Sequence, residues 1–103
     1  MKSYYNFEEP LKFESETHKF LLYQLRISDR QTSKYMALVR DLNDNTMKLK
    51  YFGARSYPQY KDSTPIKAYS DMDHLDEKRK RNFYSRHNRN TGISATLSKY
   101  FLW

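Results

Sequence analysis

Three short alternating stretches restrict this chain more than anything else in it. Between residues 20 and 27, Leu21, Tyr23, Leu25 and Ile27 fall on one face of an extended chain, with Gln24 and Arg26 on the other. A period of two with these residue types predicts a strand. Residues 34–41, carrying Tyr35, Met36, Leu38 and Val39, predict a second. Residues 46–52 predict a third, in which Met47, Leu49 and Tyr51 alternate with Lys48 and Lys50. Asn43-Asp44-Asn45 lies between the last two. Short Asn and Asp side chains tolerate a positive φ and bond to nearby backbone, so the segment predicts the turn of a hairpin.

At 103 residues the chain holds one domain at most. Its apolar fraction is modest at 38%, but 17% aromatic residues supply bulk for a small core. There is no cysteine, which excludes a disulfide framework and a cysteine-based zinc site. No apolar run approaches the length of a membrane span, and the N-terminus lacks the apolar stretch of a signal peptide. The expectation is a protein made in the cytosol.

Residues 1–18 form an acidic, aromatic arm, with Glu8, Glu9, Glu14 and Glu16 among Tyr4, Tyr5, Phe7 and Phe13. It is either an extended arm docking its aromatics or a loosely ordered terminus. Residues 19–103 make up the domain. After Gly53, residues 54–70 form a long irregular segment with Pro58, Pro65 and tyrosines at 57, 60 and 69. Such a loop is uncommon in a small domain; it is a functional loop packed by its own tyrosines or an insertion. Those tyrosines either stack on bases or pin the loop to the core.

Asp71 or Asp73 can cap a helix over 74–89, with Asp76 and Glu77 in its first turn and Arg86 and Arg89 near its end. Acid first and base last complements the helix dipole. Leu75 and Phe83 would share its apolar face, and Gly92 suits the C′ position. Ser94 then caps a second helix over 95–103, whose Leu97, Tyr100 and Phe101 share a face. Trp103 is a core plug or an anchor for a neighbouring subunit. The fold class is therefore α+β: a small three-stranded antiparallel sheet followed by a long loop and two C-terminal helices.

The charge is placed unevenly. The whole formal +7 resides in residues 78–103, which hold seven Lys or Arg and no acid, while the preceding residues balance. Lys78, Arg79, Lys80 and Arg81 are consecutive, so a helix wraps them around its surface, and Arg86 and Arg89 extend the charge. Lys48 and Lys50 add two cations on one sheet face. Such residues neutralise phosphates in a salt-dependent, sequence-tolerant way. The same surface also fits an acidic protein partner or plain solvation.

Three blocks in the later part of the chain, FGARSY at 52–57, HLDEKRKRNFYSRH at 74–87 and ATLSKYFLW at 95–103, resemble a family of small uncharacterised proteins encoded by the nucleocytoplasmic large DNA viruses, or giant viruses. The residues that carry the likeness are Phe52, Gly53, Ala54, His74, Asp76, Arg79, Lys80, Phe83, Arg86, His87, Leu97, Ser98, Lys99, Leu102 and Trp103. The loop before His74 is longer than in the family, and the acid-Trp pair that often follows Arg-His is missing. The resemblance implies a viral origin, in the virion or in the viral factory of the host cytoplasm. It implies no activity.

His74 and His87 are the remaining chemical candidates. Asp73-His74 is similar to the opening of an HNH-type nuclease. On one continuous helix, however, the two histidines would stand about 20 Å apart and could not share a metal. His74 more simply closes the helix start, and His87 bonds locally or joins the basic patch. No nucleophile constellation, phosphate-cradling glycine loop or carboxylate pair is present, so no enzyme, cofactor or metal site is expected. Two expectations follow. One is a module binding DNA or RNA phosphates through Lys48, Lys50, Lys78, Arg79, Lys80, Arg81, Arg86 and Arg89. The other is a minor virion or capsid protein docking to an acidic neighbour.

Overall fold

The computed structural model describes residues 3–103 and has the α+β character expected, but its sheet holds four strands rather than three. Strands β1 (Tyr4–Glu14), β2 (Lys19–Ile27), β3 (Ser33–Asp41) and β4 (Thr46–Ala54) pair in order as an antiparallel meander. The additional strand is the acidic arm. Its register on β2 shifts between Asn6 and Leu11, a stretch that contains Pro10. Proline cannot donate to a sheet ladder and is tolerated on an edge strand or at a bulge, and Pro10 has both. Glu8 and Glu9 put charge on the same open edge, which discourages pairing with other chains.

The buried face of β2 is not the alternation expected. Phe20, Leu22 and Leu25 are fully buried, whereas Leu21 and Tyr23 are not. The pairing with β3 skips Tyr23, between Leu22↔Val39 and Gln24↔Leu38. That bulge inserts one residue and reverses the side on which each later residue falls. Tyr35, Ala37 and Val39 of β3 and Phe52 of β4 complete the inner face. The hairpin of β3 and β4 forms as expected, with Asn45 at φ 58° and the Asp44 carboxylate accepting from Thr46 N–H and hydroxyl at 3.2 and 2.8 Å.

Helices α1 (Glu77–His87) and α2 (Ile93–Phe101) follow. In α2, Ile93, Leu97 and Phe101 recur at helical spacing and are buried against the sheet. It begins two residues earlier than expected, and Gly92 precedes it as N-cap rather than closing α1. Helix α1 starts at Glu77, not at 74. Leu75 adopts φ 56°, which no helical residue can, and Asp76 Oδ1 accepts from Lys78 and Arg79 N–H at 2.9 and 3.2 Å. Leu75 is thus outside the helix and exposed, and shares no face with Phe83.

The long segment before α1 is held by a buried polar cluster in addition to its aromatics. Asp62, 1% exposed, accepts from Thr64 N–H (3.0 Å), the Thr64 hydroxyl (2.6 Å) and Tyr69 N–H (3.1 Å), and from the Tyr35 phenol of β3. The phenol in turn accepts from Ala68 N–H at 3.0 Å. Asp73 Oδ1 accepts from Gln59 Nε2 at 2.6 Å and from Asp62 N–H at 2.7 Å. Backbone bonds from Lys61 to Leu102 and from Ser63 to Phe101 then lash the segment to the end of the chain. Burial is tolerable for the two carboxylates and the phenol because each is given partners, although Gln59 Oε1 has none among the described residues.

Candidate nucleic-acid interface

The expected cationic residues do not form one patch. Lys48 is already engaged: its Nζ lies 2.8 Å from both Asp41 Oδ2 and Asp44 Oδ2. Those carboxylates hold its amine above the usual lysine range, and they are themselves held low, Asp44 at about 2. Lys48 and Lys50 oppose the buried Val39 and Ala37, so they share the inner face of the sheet. Lys48 is therefore already paired with two carboxylates.

The basic run on α1 divides in three. Arg79, Asn82, Phe83, Arg86 and His87 form one stripe at helical spacing, and all of them line a recess of about 590 Å³. Lys80 turns the other way and sits over the ring of Tyr60, 4.4 Å from its centroid. Lys78 and Arg81 are exposed and do not line this recess, and Arg89 is exposed beyond the helix end.

Across the recess from this stripe stand Gly53 and Ala54 of β4, Tyr57 and Pro58, and Ser98, Leu102 and Trp103. The three blocks that carry the family resemblance, far apart in sequence, thus meet around one space. Gly53 has a physical reason to be glycine. Its φ is +79°, and a Cβ there would lie 2.7 Å from Leu102 Cδ1 and 3.3 Å from Lys34 Cβ.

Lys34, absent from the sequence-based set, is the most informative residue in the recess. It is 2% exposed and its ammonium donates to the carbonyl of Tyr57. Burial pulls its amine down to about 8, against the weaker opposing pull of Asp62 and Asp73. Those two carboxylates face other donors, and among the described residues no Asp or Glu side chain lines the recess. A lysine at the start of a β-rich strand was the available signal, but nothing in the pattern distinguished it from a solvated one.

The histidines sit on either flank of an aromatic pair rather than on one helix. Phe83 stacks on Trp103, His87 lies against Phe83 at 4.4 Å, and His74 lies against Trp103 at 5.3 Å. Trp103 therefore serves within the chain. His74 Nδ1 accepts from Asp76 N–H at 2.9 Å, which closes the helix start as expected and assigns the ring proton to Nε2. Burial and the Arg79 charge pull His74 down, favouring its neutral form. Among the described residues no group of three His, Asp or Glu comes together to hold a metal ion.

The class defined so far is a four-stranded antiparallel meander with two C-terminal helices and a cationic, aromatic recess between α1 and the β4 end of the sheet. Compared with known protein families, curated proteins and solved structures, the chain matches none. No helix among the described residues is long and apolar enough to cross a membrane.

Proposed function

We propose that this protein is a non-enzymatic module that binds nucleic-acid phosphates through α1 and the recess beside it. The observation that carries this reading is the recess itself: Lys34, Arg79, Arg86 and His87 line one space, with no Asp or Glu side chain lining it among the described residues. Lys78, Arg81 and Arg89 extend the positive surface outward from it. Phosphate oxygens are the common biological anions that such a set of donors suits, and guanidinium groups bind them in bidentate fashion. Phosphate contacts carry no sequence information, so binding through them would tolerate many sequences. The resemblance to the giant-virus family would give such a module a place in genome packaging or late transcription.

The test is affinity for labelled single-stranded and duplex DNA and RNA over a range of salt concentrations. Binding should weaken steeply as salt rises, and charge reversal at Arg79 and Arg81 should remove it. No binding at low salt would defeat the reading.

A second reading, a minor virion protein docked to other proteins, draws support from the outer sheet face. Met47 and Leu49 are 43% and 56% exposed there, beside the half-buried Met36 and Leu38. The acidic arm and Trp103 are engaged inside the fold, as β1 and as the ring against Phe83. Stoichiometric presence in purified particles would favour it.

A further inference from the structure

The recess is more specific than a basic surface needs to be. A phosphate backbone lying across a helix is served by exposed, flexible cations such as Lys78 and Arg81. Here one cation is buried instead. Lys34 carries three N–H donors as an ammonium, yet among the described residues the one hydrogen bond of its side chain is to the Tyr57 carbonyl. It lies with two guanidinium-bearing residues and an imidazole around a space of about 590 Å³, within the size range of small-ligand pockets. Like charges gathered with no Asp or Glu side chain of the described residues lining the space favour an anion in their midst. The lowered amine of Lys34 reflects its burial, with Asp62 and Asp73 acting on it in the opposite sense.

A second feature stands at the mouth. Tyr57, whose carbonyl holds Lys34, exposes 69% of its surface while lining the same recess. The faces of Phe83, by contrast, are taken by Trp103 and His87. A planar group entering with an anion would therefore find its stacking surface on Tyr57.

Resting on the nucleic-acid reading above, we propose that the recess between α1 and β4 binds the phosphomonoester of a nucleotide, with Lys34, Arg79 and Arg86 on the phosphate and Tyr57 under the base. A phosphomonoester carries about −1.5 to −2 at neutral pH, whereas an internal phosphodiester carries a single charge, so the monoester matches this cluster better. A terminal group also needs only one way in, while a continuous strand would need an entrance and an exit. The nucleotide is either the phosphorylated end of a strand or a free mononucleotide; the chemistry recognised is the same.

The test uses the full chain with a single-stranded dT oligonucleotide bearing a 5′-phosphate, the same strand with a 5′-hydroxyl, and dTMP. The phosphorylated strand, dTMP or both should bind, the strand about tenfold more tightly than its hydroxyl counterpart, as expected for one charge-assisted bidentate contact. Arg86→Ala should abolish that preference and Lys78→Ala should leave it intact. Tyr57→Ala should weaken binding of the phosphorylated ligand about tenfold, the loss of one base stack. On binding, the Lys34 amine resonance should titrate at higher pH than in the free protein, a readout that a merely structural role for Lys34 would not move. Competition by dTMP assigns the site to free nucleotides, and its failure assigns it to strand ends. Equal binding of the two strands with no dTMP binding would overturn the recess proposal and leave the wider reading standing. Binding of dTMP with no strand bound even at low salt would do the reverse. Binding of neither would end both.

Discussion

Trp103 lays its indole flat on the ring of Phe83, with centroids 4.3 Å apart and planes at 2°. This contact matters because α1 buries none of its residues fully. Beyond it the helix is tied by its Asp76 cap, the Tyr60 hydroxyl to Glu77 at 2.7 Å and the Tyr84 hydroxyl to the Lys99 carbonyl at 3.1 Å. One stacked pair thus sets how firmly the cationic stripe is held against the recess.

Phe83→Ala should therefore loosen α1 far more than the sheet. The pair contributes about 0.5–1.5 kcal/mol beyond the area it buries. Amide hydrogen exchange is the measurement: protection at the amides of α1 should collapse while that of β2 and β3 changes little. Uniform loss across the whole chain would show instead that α1 is part of the cooperative core.

Tyr35→Phe examines the buried cluster beneath the long loop. It deletes a hydroxyl that donates to Asp62 and accepts from Ala68 N–H, leaving both short of a partner. The expected loss is about 1–3 kcal/mol per stranded group, read by chemical denaturation. A neutral result would mean that water replaces the phenol without cost.

Much of the fold could be read from residue order, and the failures have identifiable causes. The hairpin of β3 and β4 was legible because Asn43-Asp44-Asn45 separates two patterned runs. The strand β1 was hidden because Pro10 and the Glu8-Glu9 pair interrupt any alternation, and only the edge position makes them acceptable. Periodicity also failed at Tyr23, where one bulged residue reversed the inward face of β2. For the site, Arg79 and Arg86 were among the candidates and helical spacing separates them from Lys80 and Arg81, but which face of α1 meets β4 is set by tertiary packing. Lys34, Gln59 and Asp62 were not legible, since a buried polar residue and an exposed one look alike until their partners are known.

The Lys34 amine supplies a pH prediction of definite sign. Its folded pKa, about 8, lies below the unfolded lysine value of 10.5. Between these values the unfolded chain binds a proton that the folded chain lacks, so stability rises with pH across that window. Below about 8 both states are protonated and the burial cost is present in full. Lys34→Met should flatten this rise, as measured by denaturant unfolding from pH 7 to 10.5. An unchanged profile would place the amine in water.

The central claim is that α1 and its recess meet phosphate, and the salt dependence of single-strand affinity tests it most directly. Each phosphate contact contributes a slope of about −0.7 in log affinity against log salt on single strands. The account predicts that the Arg79→Ala/Arg86→Ala pair binds more weakly at low salt, with a slope shallower by about 1.4. A double variant with the affinity and slope of the unaltered protein would contradict it.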